Sequence, residues 1–126
     1  MTLAISVEHN NALLAATVAF ADTGSANSRI RLYDASDVVL VTMTLTKACG
    51  TVVDDKLVLQ QLDPSGDLIA VTGEAVTGVW ISGTGAVVAE GTVSDEAGSG
   101  DFKVAGTTGT MLYAGARAIL GVTELT

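Results

Sequence analysis

A single cysteine, Cys49, and a single histidine, His9, are all that this 126-residue chain offers of the side chains on which most metal and nucleophile chemistry depends. One thiol cannot form an intramolecular disulfide, and one of each residue falls short of the ligand set of a structural zinc site. Aromatics are as sparse. Phe20, Tyr33, Trp80, Phe102 and Tyr113 make up 4% of the chain, so the core has to be built from Val, Leu, Ile and Ala. Cations are few as well: Arg29, Arg31, Lys47, Lys56, Lys103 and Arg117 stand against fourteen acidic residues, for a formal net charge of -8. So few scattered cations on an acidic chain give no footprint for nucleic acid or for an anionic membrane surface. No stretch approaches the ~18 consecutive apolar residues of a membrane span. The opening MTLAISVEHN has no basic segment before an apolar run, so no secretory leader is expected.

What is present is a chain 48% hydrophobic, rich in Gly, Val and Thr, with Pro64 as its only proline. The size fits one domain, residues 1–126, able to bury a core without staples. One helix is expected, over about 7–21: Ser6 is placed to cap it, Glu8 suits its first turn, and Leu13, Leu14, Thr17, Val18 and Ala21 fall at helical spacing. A polar loop over 22–28 follows. From residue 29 to about 125 the pattern is that of strands and turns. In 29–35 Arg29, Arg31 and Tyr33 alternate with Ile30 and Leu32, so the apolar pair faces inward. In 38–46 Val39, Val41, Met43 and Leu45 alternate with Leu40 and three threonines. Residues 47–55 read as a loop with a short extended piece, and 56–62 as a strand. Asp63-Pro64-Ser65-Gly66 has the residue order of a type I turn. Residues 68–72 give another strand. Val76–Ser82 and Val87–Val93 form a hairpin about Gly83-Thr84-Gly85-Ala86. Its first strand sets Val79 and Ile81 on one face and Trp80 on the other. A polar loop over 94–100, short strands at 101–104 and 110–113, and a last strand over 117–125 complete the chain. Strands at roughly ten-residue spacing predict a mainly β fold, an antiparallel β-sandwich of jelly-roll type with one N-terminal helix.

No constellation in the sequence carries catalysis. His9 sits beside Asn10 and Asn11 at the helix start, with no nucleophile or acid at a suggestive spacing. The acidic pairs Asp54-Asp55, Asp95-Glu96 and Asp34/Asp37 fall in turns and lack the spacing of a calcium loop. A glycosidase pair would need a sugar cleft that five dispersed aromatics cannot line. None of the Gly-rich turns leads into Lys-Ser/Thr and a helix, so none cradles phosphate. Cys49 has no base beside it. Trp80 is open to two readings, a core cap or an exposed interface anchor. With Arg29, Arg31 and Tyr33 it makes up the candidate interface. No catalytic residue, metal or cofactor is expected.

The order of the segments carries more. Leu3–Ser6 leads into an Ala/Leu helix; Ile-Arg-Leu-Tyr-Asp (30–34) and a Val/Thr strand (38–46) follow. Gly-Val-Trp-Ile (78–81) then opens a hairpin that ends Ala-Glu-Gly-Thr-Val-Ser (89–94), before an acidic Gly/Ser loop and closing Val/Thr strands. This order resembles a group of small structural proteins of tailed bacteriophages and prophages, in which a helix lead, a Leu-Tyr-Asp strand and a tryptophan hairpin ending Asp/Glu-Gly-x-Val recur. The resemblance implies a β-sandwich virion component without catalytic residues. It points to a head decoration (cement) protein that is made in the host cytoplasm and binds the major capsid protein on the outer capsid surface as a small homo-oligomer. A tail or head–tail joining protein is the alternative within the virion. A β-sandwich module for glycans or cell surfaces is the alternative outside it.

Overall fold

The structure, a computed structural model, describes residues 3–125; residues 1, 2 and 126, which the single domain expected from the sequence also takes in, lie outside the described residues. Helix α1 (Val7–Ala21) begins where expected. The Ser6 hydroxyl accepts the backbone N–H of His9 at 3.1 Å, satisfying one of the donors that a helix start leaves without a partner. At the other end the Asp22 N–H returns to the Val18 carbonyl at 2.9 Å, and Gly24, at φ +88, turns the chain away.

Eleven strands follow: β1 (Arg29–Tyr33), β2 (Val39–Val53), β3 (Lys56–Gln61), β4 (Asp67–Leu68), β5 (Gly73–Glu74), β6 (Thr77–Ile81), β7 (Val87–Asp95), β8 (Phe102–Ala105), β9 (Met111–Leu112), β10 (Arg117–Leu120) and β11 (Glu124–Leu125). Nine of them make one sheet in the order β11-β3-β2-β1-β6-β7-β8-β10-β4, while β5 and β9 pair with each other. Every pairing is antiparallel except β7 with β8. The fold is thus mainly β with one N-terminal helix, and its sandwich-like core is enclosed by a single sheet that curls over on itself.

The sequence-based boundaries hold for α1, β1 and β3 and move elsewhere. The expected loop over 47–55 lies mostly inside β2, which runs on to Val53 after a register shift between Leu45 and Gly50. That continuation depends on Gly50: a Cβ there would collide with the Val58 carbonyl of β3. Asp54 and Asp55, at φ 50 and 64, then make the turn into β3. The expected last strand over 117–125 is two, β10 and β11, divided where the Gly121 N–H bonds to the Lys103 carbonyl at 2.7 Å. Only residues 67 and 68 of the strand expected at 68–72 and its flank are in the sheet.

The core collects Ile30 and Leu32 of β1, Leu40, Val41, Met43 and Leu45 of β2, Leu57 and Leu59 of β3, Trp80, Phe102 and Val104, with Leu14 and Ala21 from the helix. A glycine makes room for the ring of Phe102. Gly78 and Gly91 face each other across β6 and β7, and a Cβ on Gly78 would stand 2.5 Å from the Phe102 ring. Phe102 lies over a strip of backbone that any side chain would lift it from.

The two ends of the sheet meet through side chains rather than a backbone ladder. The Gln61 carboxamide, at the end of β3, donates to the Ala118 carbonyl at 3.0 Å and accepts the Leu120 N–H at 2.8 Å, both on β10. It also donates to the Asp67 carboxylate of β4 at 2.8 Å. The same Asp67 oxygen accepts the Thr44 N–H of β2 at 3.2 Å, and just beyond, the Ala70 N–H reaches the Leu40 carbonyl at 2.9 Å. Replacing Gln61 by Leu keeps the volume but leaves these partners half-buried and unpaired. The expected cost is about 2–3 kcal/mol of unfolding free energy, read as a lower urea midpoint with little change in slope.

Candidate partner-binding surface

Three of the four residues expected at an interface are brought together. Strand β1 is the third of the four strands β3, β2, β1 and β6 in the sheet, and its alternation turns Ile30 and Leu32 inward and Arg29, Arg31 and Tyr33 outward. Arg29 stands between Thr44 and Ile81, Arg31 between Thr42 and Val79, and Tyr33 between Val39 and Thr77. The outer face therefore carries two arginines with Cα atoms ~7 Å apart along one strand, flanked by threonines. Arg29 Nη1 donates to the Asn27 carbonyl at 3.4 Å. Among the described residues neither arginine has an acidic partner; the ion pairs there are Lys56–Glu124 and Arg117–Asp63. Glu90, in register with Val79 on β7, is two strands from Arg31, ~10 Å between Cα atoms, and makes no ion pair with it.

Trp80 is a correction. It is 1% exposed, on the inner face between Ile30 and Ala89, and offers nothing to a partner in this fold. Both faces of its strand carry large apolar groups, so alternation alone could not say which one was inside. A cavity of about 140 Å³ opens between Trp80, Leu59, Ala89, Phe102 and Leu125, and the indole Nε1 has no hydrogen-bond partner among the described residues. Two of the three acids that line it are engaged, Asp101 by the Thr92 N–H at 3.0 Å and Glu124 by Lys56 at 3.4 Å; the third is Glu90.

The remaining reactive groups are dispersed. Cys49 is buried, and that burial, reinforced by the negative charge of Asp22, pushes its thiol up to about 12. Asp95 is held below the usual carboxylate range by the Gly109 N–H at 2.7 Å, helped by Gly98 and Ala97, so it fastens the 96–109 loop. Asp63 is held low by the Ser65 hydroxyl and N–H, within the expected turn, where the Gly66 N–H closes on the Asp63 carbonyl at 2.9 Å. Asp34 caps Ser36 and Val38. Among the described residues no three His, Cys, Asp or Glu side chains gather as a metal site. What these elements do offer is a sheet face with two half-buried guanidiniums that have no carboxylate partner among the described residues, a group that binds carboxylates by paired N–H donors.

A second surface was not anticipated. The solvent side of α1 is apolar: Leu13 is 49% and Phe20 47% exposed. Its sequence signal is the absence of any charge from Asn10 to Ala21. Comparison with protein-family models, with curated proteins and with solved structures finds no match.

The Cys49 environment gives a direct check. At pH 8 the native protein should resist a disulfide-exchange thiol reagent and react fully once unfolded in guanidinium. Rapid reaction of the folded protein would place Cys49 outside the core.

Proposed function

We propose that this chain is a non-enzymatic structural subunit of a tailed-phage virion, a decoration protein that binds the outer capsid surface beside copies of itself and stabilises the head. The motif order 30–34, 78–81 and 89–94 supports the phage assignment. The observation that carries the binding role is the Arg29/Arg31 pair, two cations without a carboxylate partner among the described residues, on a chain of net charge -8. Guanidiniums left free on a rigid sheet keep their geometry for an external carboxylate and lose little entropy on meeting it.

The mechanism is that of a clamp. A folded module set across neighbouring capsid subunits buries apolar area worth ~25 cal/mol per Å², less the cost of association. Every bound copy then adds to the work needed to part the subunits beneath it. Charge complementarity at the arginine face sets orientation and the rate of encounter. A tail or head–tail joining role would use the same surface. A glycan module has less support, because Trp80 and Phe102 are buried and the other aromatics lie on separate elements. No helix among the described residues is long and apolar enough to cross a membrane.

The test is binding to capsids stripped of the protein, by co-sedimentation. Arg29→Glu with Arg31→Glu should cost no more than about 1 kcal/mol of unfolding free energy, since both side chains are only half-buried and neither holds an ion pair among the described residues. Capsid affinity should fall at least about tenfold. Equal binding by wild type and the double variant would remove the arginine face from the interface. Absence of wild-type binding would remove the capsid as partner.

A further inference from the structure

We infer that the exposed side of α1 is a homotypic interface, on which a second copy of this chain packs its own α1 antiparallel about a two-fold axis. A helix whose exposed side is mostly apolar normally finds cover for that side. Here only Leu14 and Ala21 are buried against the sheet, while His9, Ala12, Leu13, Ala15, Ala16, Ala19 and Phe20 are exposed. Between Leu13, Ala16 and Phe20 on the helix and Val88 and Leu125 on the sheet runs a shallow groove.

Three features select a second copy as the occupant. The first is spacing. His9, Leu13, Ala16 and Phe20 are separated by four, three and four residues, the step of a coiled-coil seam. The second is self-complementarity. The seam is symmetric about its midpoint, so an antiparallel partner sets each Leu13 on the other copy's Ala16, large on small, and each Phe20 on the other copy's His9. A two-fold interface requires this reciprocity of one patch with itself, and the alanine lets the backbones approach to the ~8 Å of close helix packing. The antiparallel sense also opposes the two helix dipoles favourably. The third is charge. Two copies at net -8 repel, and from Asn10 to Ala21 the helix carries no charged side chain, so contact here adds no buried like charge.

The fifteen-residue helix is ~22 Å long and supplies only part of the ~800 Å² per partner of a standard interface. Leu3 and Ile5 at one end and Val87 near the other are exposed and extend it. The pair is therefore a reversible one. It deepens the decoration reading and rests on it for its purpose, as the self-contact that links copies side by side on a shell.

Sedimentation of the free protein decides the matter with no capsid present. Wild type should show a reversible monomer–dimer equilibrium. Ala16→Glu should sediment as a monomer with unchanged Trp80 emission, which reports an intact core. Leu13→Ala and Ala16→Leu should each weaken the dimer at least about tenfold, and the two together should recover most of the loss, because they exchange large and small at facing positions. A wild-type protein that stays monomeric at millimolar concentration would overturn the inference, as would a dimer that survives Ala16→Glu. Capsid binding by a monomeric Ala16→Glu protein would show that the decoration role stands apart from the dimer.

Discussion

One carboxamide holds the two ends of this sheet together. Gln61 bonds two backbone groups of β10 and the carboxylate of Asp67, which in turn holds Thr44 of β2. A nine-stranded open sheet would present two long edges and one uncovered apolar face. Bent into a curl and fastened by Gln61, it encloses Trp80, Phe102 and the aliphatic rows of β1 and β2. The edge strands β11 and β4 are two residues each, too short to template pairing with another chain. Association through strand edges is thereby discouraged, and association through faces is what remains.

The available faces differ in chemistry. The outer side of β1 carries two unpaired guanidiniums among threonine hydroxyls, on a surface stiffened by β2 and β6 on either side. The outer side of α1 is mostly apolar and, from Asn10 to Ala21, uncharged. A body with one cationic polar face and one apolar face, and no gathering of reactive groups among its described residues, is suited to holding other surfaces in place. Against a net charge of -8, Arg29 and Arg31 are two cations without a carboxylate partner among the described residues, side by side on one strand.

Much of this was legible in the sequence wherever the signal is local. Alternation in 29–33 reports which side chains of β1 face outward, Ser6 caps the helix, and Asp63–Gly66 makes its turn, since each depends on neighbours a few residues away. The extension of β2 through Gly50 was not legible, because the reason is contact with Val58 on another strand. The parallel pairing of β7 with β8 escaped for the same reason: it is fixed by Phe102 seating over Gly78 and by Asp101 bonding Thr92. The Gln61–Asp67 link joins residues that read as an ordinary strand end and turn. Trp80 was ambiguous because its strand is apolar on both faces, and only the position of the curl decides between them. Of the candidate interface, Arg29, Arg31 and Tyr33 followed from alternation alone. The helix face was signalled by missing charge, which is easily passed over in favour of the residues present.

The most direct measurement is electron microscopy of purified virions at a resolution that shows strands. The account predicts density for this β-sandwich on the outer capsid surface, repeated over the shell, with the β1 face toward the capsid subunits. Density confined to the tail or its joint with the head, or particles that lack the protein altogether, would contradict it.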